Sequence, residues 1–251
     1  MRLNQLFEDV STDQSNLRIA EQAWSEFKEE VYGHLVLLDL DKFEAFEESF
    51  INLIQKLSRY NLNVIYKDIP VKVNFMDSAS SRGAAGRLRT TSIDHGNDHI
   101  DYRYSIELYY NRNNQIDLIS MADFYNTLDE MFEDVFIHEF THFLDDFRSH
   151  NRPNYIKTKR DLISQGKYVD TPHEFNAFYM QMMKGIQRAF ENRHVIEVFK
   201  ENPDYESFVS LIRIETDAGR QLSELEGKFK KAFHKRLFQL YKEYYRNYVE
   251  V

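Results

Sequence analysis

The feature that most constrains the fold of this chain is a run of regularly spaced phenylalanines in FEDVFIHEFTHFLDDF, residues 132–147. The run consists of Phe132, Phe136, Phe140, Phe143 and Phe147. Spacings of three and four residues place these side chains on one face of an α-helix. At about 100° per residue, His138 and His142 fall nearly opposite that face. We therefore expect a helix with one face buried in a hydrophobic core and the other face carrying a polar site.

The composition of the 251-residue chain supports a folded core and excludes several functional classes. Hydrophobic residues make up 42% and aromatic residues 15%, enough to bury a sizeable core. The absence of cysteine excludes disulfides, thiolate metal sites and cysteine nucleophiles. A net charge of −9 disfavours a nucleic-acid partner, because phosphates attract basic surfaces.

The sequence also lacks the marks of a membrane or secreted protein. No apolar run approaches the roughly 18 residues needed to span a bilayer. The first residues, MRLNQLFEDV, include acidic side chains and lack the apolar core of a secretory signal. We therefore expect a soluble, cytoplasmic protein without a membrane partner.

The order of the predicted elements indicates an α+β fold, in which a small mixed sheet packs on helices. Apolar spacing predicts helices at Asp13–Tyr32 and Lys42–Tyr60, followed by one or two strands in NVIYKDIPVKVNFMD. Small and polar residues predict a loop at Ser78–Asp98, before a further strand at Ile100–Asn111. We expect a single domain, residues 1–251. Its parts are a helical part at 1–62, a strand-rich part at 63–111 with the loop at 78–98, and a helical part at 123–251.

The polar face of the phenylalanine-rich helix has the spacing of a zinc site. His138 and His142 lie one helical turn apart in HEFTH, so two neutral imidazoles can bind one zinc ion. Glu139 lies beside them and can reach a zinc-bound water without ligating the metal. Asp134 and Asp145 fall on the histidine face, where a carboxylate can accept the second N–H of an imidazole. The alternative is a structural role, in which surface histidines pair with these two aspartates.

A catalytic zinc ion usually has three protein ligands and one open position. The longer motif H-E-x-x-H-x-x-G-x-x-H is excluded, because Asp145 and Arg148 occupy its glycine and final histidine positions. We select Glu174 as the third ligand, in the first turn of a helix that begins near Thr171. Thr171-x-x-Glu174 is also a capping box, so the alternative role of Glu174 is to cap the helix. The other candidates are His173, Asp170 and His150.

The segment HEFTHFLDDF resembles the active-site helix of gluzincin metallopeptidases of the thermolysin type. The shared pattern is His-Glu, an apolar residue, Thr-His, and an aspartate four residues later, here Asp146, followed by an aromatic residue. The resemblance implies a zincin-like fold built around this active-site helix. It implies one Zn²⁺ bound by His138 and His142, with Glu139 as general base. The family's third ligand is a glutamate on a later helix, which matches Glu174.

The chain departs from this family around the third ligand. The family pattern is Asn-Glu-x-x-Ser-Asp, whereas Glu174 is preceded by His173 and followed by FNAF.

Such folds place an edge strand before the active-site helix, where an extended peptide can pair. YRYSIELYYN, residues 102–111, is a candidate for this edge, with an interior strand as the alternative. Ser78–Asp98 is a candidate flap over the cleft, with an ordinary connecting loop as the alternative.

These observations predict a zinc metalloendopeptidase that acts on a peptide or protein substrate. Glu139 would take a proton from a zinc-bound water and pass it to the leaving amine. The alternative is a non-catalytic zinc-binding protein for assembly or interaction, because the C-terminal helix, residues 222–248, has a broad aromatic face beside basic residues. The candidate donors to the oxyanion are Tyr155, Tyr168, His173 and Tyr179.

Overall fold

A computed structural model describes residues 10–38, 49–78, 85–94, 100–113, 116–149 and 172–250. The chain divides into two compact units. One is Ile19–Phe143, and the other combines Met1–Arg18 with Leu144–Val251. A small four-stranded sheet and a larger number of helices confirm the mixed α+β content. Within the described residues, no helix is both long and apolar enough to cross a membrane.

The helices are α1 (Val10–Leu37), α2 (Phe50–Leu57), α3 (Met121–Leu128), α4 (Asp134–Ser149), α5 (Pro172–Ala189), α6 (Arg193–Glu201), α7 (Tyr205–Glu215), α8 (Asp217–Ser223) and α9 (Gly227–Tyr248). The strands are β1 (Leu62–Tyr66), β2 (Ile69–Asp77), β3 (Ala85–Asp94) and β4 (Ile100–Tyr110). A π-helical turn at Asp129–Glu133 joins α3 to α4. Helix α1 confirms the first predicted helix and extends it at both ends. Helix α2 confirms the second predicted helix from Phe50 to Leu57, and residues 39–48 lie outside the description.

The sheet has the strand order β1-β2-β4-β3, with β2 and β4 parallel and both outer pairs antiparallel. The predicted strand region at residues 63–77 is therefore two strands. They are joined by a tight turn at Lys67 and Asp68, whose φ angles of 48° and 66° match a type I′ turn. The loop predicted at Ser78–Asp98 is wrong for residues 85–94, which form β3. Every residue of β3 whose exposure is described is exposed or half-buried, so the strand lacks the apolar alternation that marks β2.

The position of β3 also decides which strand lies at the edge of the sheet. Strand β4 lies between β2 and β3, so the interior alternative is confirmed for YRYSIELYYN. The edge strand on that side is β3, within the segment that was expected to be a loop or a flap.

One face of the sheet and the phenylalanine face of α4 form the core of the Ile19–Phe143 unit. On α4, the side chains of Phe136, Phe140 and Phe143 are fully buried, as predicted. The Phe143 ring lies 4.8 Å from the Tyr104 ring of β4, measured between centroids. From α1, Trp24 adds a ring 5.2 Å from that of Phe136. This packing fixes which side of α4 faces the sheet.

The other unit is organised around one buried arginine. Arg236 of α9 is 1% exposed and pairs with the fully buried Asp13 of α1 through two hydrogen bonds. Its Nη1 also donates to Oδ1 of Asn176 in α5 at 3.0 Å. The guanidinium carbon lies 4.1 Å from the centre of the Tyr179 ring, also on α5. One side chain therefore ties three helices of this unit together.

Arg236→Met should destabilise the protein by about 3–5 kcal/mol, because it leaves the Asp13 carboxylate buried without its cation. The matched control is Arg220→Met, which removes an exposed ion pair with Asp217 and should cost less than about 1 kcal/mol. Urea unfolding of both variants measures the difference. The double variant Asp13→Asn/Arg236→Met should be more stable than Arg236→Met. Equal losses in Arg236→Met and Arg220→Met would contradict the structural role of the buried pair.

Candidate metal centre

Helix α4 brings its two histidines together on the side away from the phenylalanines. The Nε2 atoms of His138 and His142 lie 3.2 Å apart, and the two rings are nearly perpendicular at 82°. His138 is 8% exposed and His142 only 3%. Both imidazoles are buried, so these are not surface histidines. Their pairing with Asp134 and Asp145 stays an open alternative.

The distance between the two imidazole nitrogens fits a shared zinc ion. Nitrogens bound at 2.0–2.1 Å to one tetrahedral zinc lie about 3.3 Å apart. The observed separation of 3.2 Å is close to this value. It also fits an N–H···N hydrogen bond between two neutral rings. A further ligand is needed to distinguish a metal site from a pair of hydrogen-bonded histidines.

Glu174 is the candidate for that further ligand. It lies in the first turn of α5 and has no exposure to solvent. One ligand atom from each of His138, His142 and Glu174 lies within 4.8 Å of the others, the only such group of three or more within the described residues. A buried carboxylate needs a cation or hydrogen-bond donors. Two neutral imidazoles and one carboxylate are a donor set that suits zinc, so these residues fit the metal predicted from the sequence.

Glu139 is held by a contact that the sequence did not indicate. It is 8% exposed, and its Oε2 accepts a hydrogen bond from the backbone N–H of Leu88 in β3 at 2.7 Å. A Cβ atom added to Gly86 would lie only 2.7 Å from Cγ of Glu139. Strand β3 therefore lies directly against the side chain of the candidate base. No local pattern reveals this contact, because 51 residues separate its two partners.

Asp134 and Asp145 were predicted to accept the second N–H of the imidazoles. Oδ2 of Asp145 accepts a long hydrogen bond of 3.5 Å from the amide of Asn176. The same amide group accepts from Arg236, so the buried arginine network extends to the end of α4. Asp134 is half-buried in the first turn of α4, one turn before His138. Its support of an imidazole stays a prediction.

The remaining candidate ligands and oxyanion donors have no described contact that tests their roles. Tyr179 is fully buried beneath Arg236, and burial raises the pKa of its phenol. Its role as an oxyanion donor stays a prediction. His173 belongs to α5, but its side chain lies outside the description. The alternative that Glu174 caps its helix stays open, because its capping partner Thr171 lies outside the described residues. The other candidates that lie outside the described residues are Tyr155, Tyr168, His150 and Asp170.

Comparison of the chain with protein-family models, curated proteins and solved structures finds no match. The chemistry of the site must therefore be inferred from its own residues.

Zinc should stabilise the metal-free protein, because an ion bound only by the folded chain shifts the unfolding equilibrium. Free zinc at 100 times the dissociation constant should add about 2.7 kcal/mol. His138→Ala should remove most of this gain, whereas the exposed control His194→Ala should retain it. Thermal unfolding with and without zinc, together with metal analysis, measures both effects. An equal gain in the two variants would place zinc elsewhere on the chain.

Proposed function

We propose that this chain is a zinc-dependent metallopeptidase that hydrolyses peptide bonds. The observation that carries the proposal is the buried set of His138, His142 and Glu174, with Glu139 directly beside the first histidine. The three candidate ligands come from α4 and α5, and Glu139 instead accepts a hydrogen bond from the backbone of β3. This division separates metal binding from proton transfer, as hydrolysis requires.

Each polar group has a distinct role in the proposed reaction. Zinc in such a site lowers the pKa of a water molecule to about 7 and polarises a carbonyl group. His138, His142 and Glu174 would hold the ion. Glu139 accepts the proton of the attacking water and delivers it to the nitrogen of the leaving amine. Its low exposure keeps this carboxylate in an environment where bulk water competes little with the substrate.

The edge of strand β3 is a candidate binding site for an extended peptide substrate. No other strand pairs with its outer edge within the described sheet, because only β4 adjoins β3. Backbone groups at a free edge can pair with an extended peptide, independently of the side chains of that peptide. The contact between Leu88 and Glu139 brings this edge next to the candidate base. Because the Leu88 N–H is already donated to Glu139, a peptide would pair with other backbone groups of β3 and pass close to Glu139.

The C-terminal helix gives little support to an interaction module. The aromatic face of α9 packs within its own unit. The Tyr244 ring lies 4.5 Å from Phe190, and the Tyr241 ring lies 5.6 Å from Phe208. Phe233 and Leu240 of the same helix are buried. These contacts assign most of the face to a core, so the feature that motivated the alternative function is largely accounted for by packing.

Glu139→Gln should retain zinc and lose hydrolysis by about 10²–10⁴-fold, because the amide cannot accept the proton of water. The measurement is cleavage of unfolded proteins and a peptide library, followed by mass spectrometry, with zinc content determined in parallel. Glu191→Gln is the matched control, since Glu191 is exposed, and it should retain full activity.

Glu174→Ala tests the third ligand separately and should weaken zinc affinity by tenfold or more, about 1.4 kcal/mol. Isothermal titration of the metal-free protein measures this affinity. Unchanged affinity would assign Glu174 to capping of α5. A wild-type protein that binds zinc in the predicted site but cleaves nothing would instead favour a non-catalytic zinc protein.

A further inference from the structure

We propose that Gly86 and the backbone N–H of Leu88 are positioning groups that fix the carboxylate of Glu139. This inference rests on the proposed function, in which Glu139 is the general base. It assigns a role to strand β3 beyond substrate binding: one edge of the sheet orients the side chain that moves the proton.

The direction of the Leu88 N–H follows from the pairing of the sheet. Strands β3 and β4 are antiparallel, and Leu88 lies opposite Ile106. In such a ladder, residues alternate between those whose N–H points to the partner strand and those whose N–H points away. Leu88 donates to Oε2 of Glu139 at 2.7 Å, so its N–H points to the free edge. A hydrogen bond from a backbone amide to a carboxylate is short and stronger than a neutral one.

Gly86 determines how closely the strand approaches helix α4. It lies two residues before Leu88, on the same side of β3. An added Cβ would lie 2.5 Å from Cγ1 of Val135 and 2.7 Å from Cγ of Glu139. Both distances are far shorter than a van der Waals contact. Val135 is β-branched and has little rotamer freedom in a helix, so it cannot easily move aside. Only glycine at position 86 allows the strand and the helix to keep this separation.

The contact limits a side chain that is otherwise flexible. A glutamate on a helix has three rotatable bonds, and a base must lie within hydrogen-bond reach of its proton. A displacement of about 1 Å can reduce a rate by about 100-fold. The Leu88 N–H fixes one carboxylate oxygen and leaves Oε1 to receive the proton. The alternative is a purely structural role, in which the contact covers the edge of the sheet and prevents it from pairing with another chain.

Gly86→Ala tests the role in catalysis. The variant should bind zinc as the wild type does, but kcat should fall by about tenfold or more with little change in KM, because the carboxylate is displaced. The control is Gly33→Ala, since a Cβ at Gly33 meets nothing within 4 Å. It should leave kcat unchanged. Full kcat in a folded Gly86→Ala protein would overturn the proposal.

Amide hydrogen exchange tests the contact without relying on activity or on the folding of Gly86→Ala. In Glu139→Ala, the Leu88 amide should exchange about tenfold faster or more, because it loses its acceptor. The amides of Arg87 and Arg89 alternate with it and point toward β4, so their exchange should stay unchanged. Unchanged exchange at Leu88 would overturn the proposal. A wild type that does not hydrolyse peptides would overturn the proposed function alone, and the exchange rates would then decide whether the contact positions Glu139.

Discussion

The packing of the α4 phenylalanines against the sheet is the interaction on which the candidate site depends. A helix has one rotation about its axis that buries a given stripe, and one residue of error would turn it by about 100°. With Phe136, Phe140 and Phe143 buried, that rotation is fixed. It sends His138 and His142 to the side where their Nε2 atoms meet. The hydrophobic core therefore determines the direction in which the polar face points.

Helices α4 and α5 are held by different physical means. Around α4, apolar burial sets the geometry, and this interaction is non-directional. Around α5, a buried ion pair does so. Arg236 binds Asp13 and Asn176, and Asn176 lies two residues after Glu174 on the same helix. Hydrogen bonds between buried charged groups are directional, and a broken pair is costly. The helix that carries the candidate ligand Glu174 is thus held by directional hydrogen bonds.

The edge strand β3 links the sheet to the chemistry of the site, and it was the element that sequence reasoning missed. Strand β2 was predicted because its apolar residues alternate toward the core. Strand β3 has no such alternation, since its described residues are exposed or half-buried, and AGRLRTTSID is typical of a polar loop. Its strand structure comes from pairing with β4 along ten residues of register. Such pairing depends on a partner in space, which a local pattern cannot reveal.

The sequence by itself determined the helix that carries the site, its two faces and the candidate ligands His138, His142 and Glu174. Periodicity and spacing are local properties, and a helix converts them directly into faces. Tertiary structure decided that both histidines are buried, that a ligand atom of Glu174 comes within 4.8 Å of theirs, and that Leu88 donates to Glu139. These facts depend on contacts between residues far apart in the chain. Only the packing of complete elements fixes such distances, because no short segment specifies its distant neighbours.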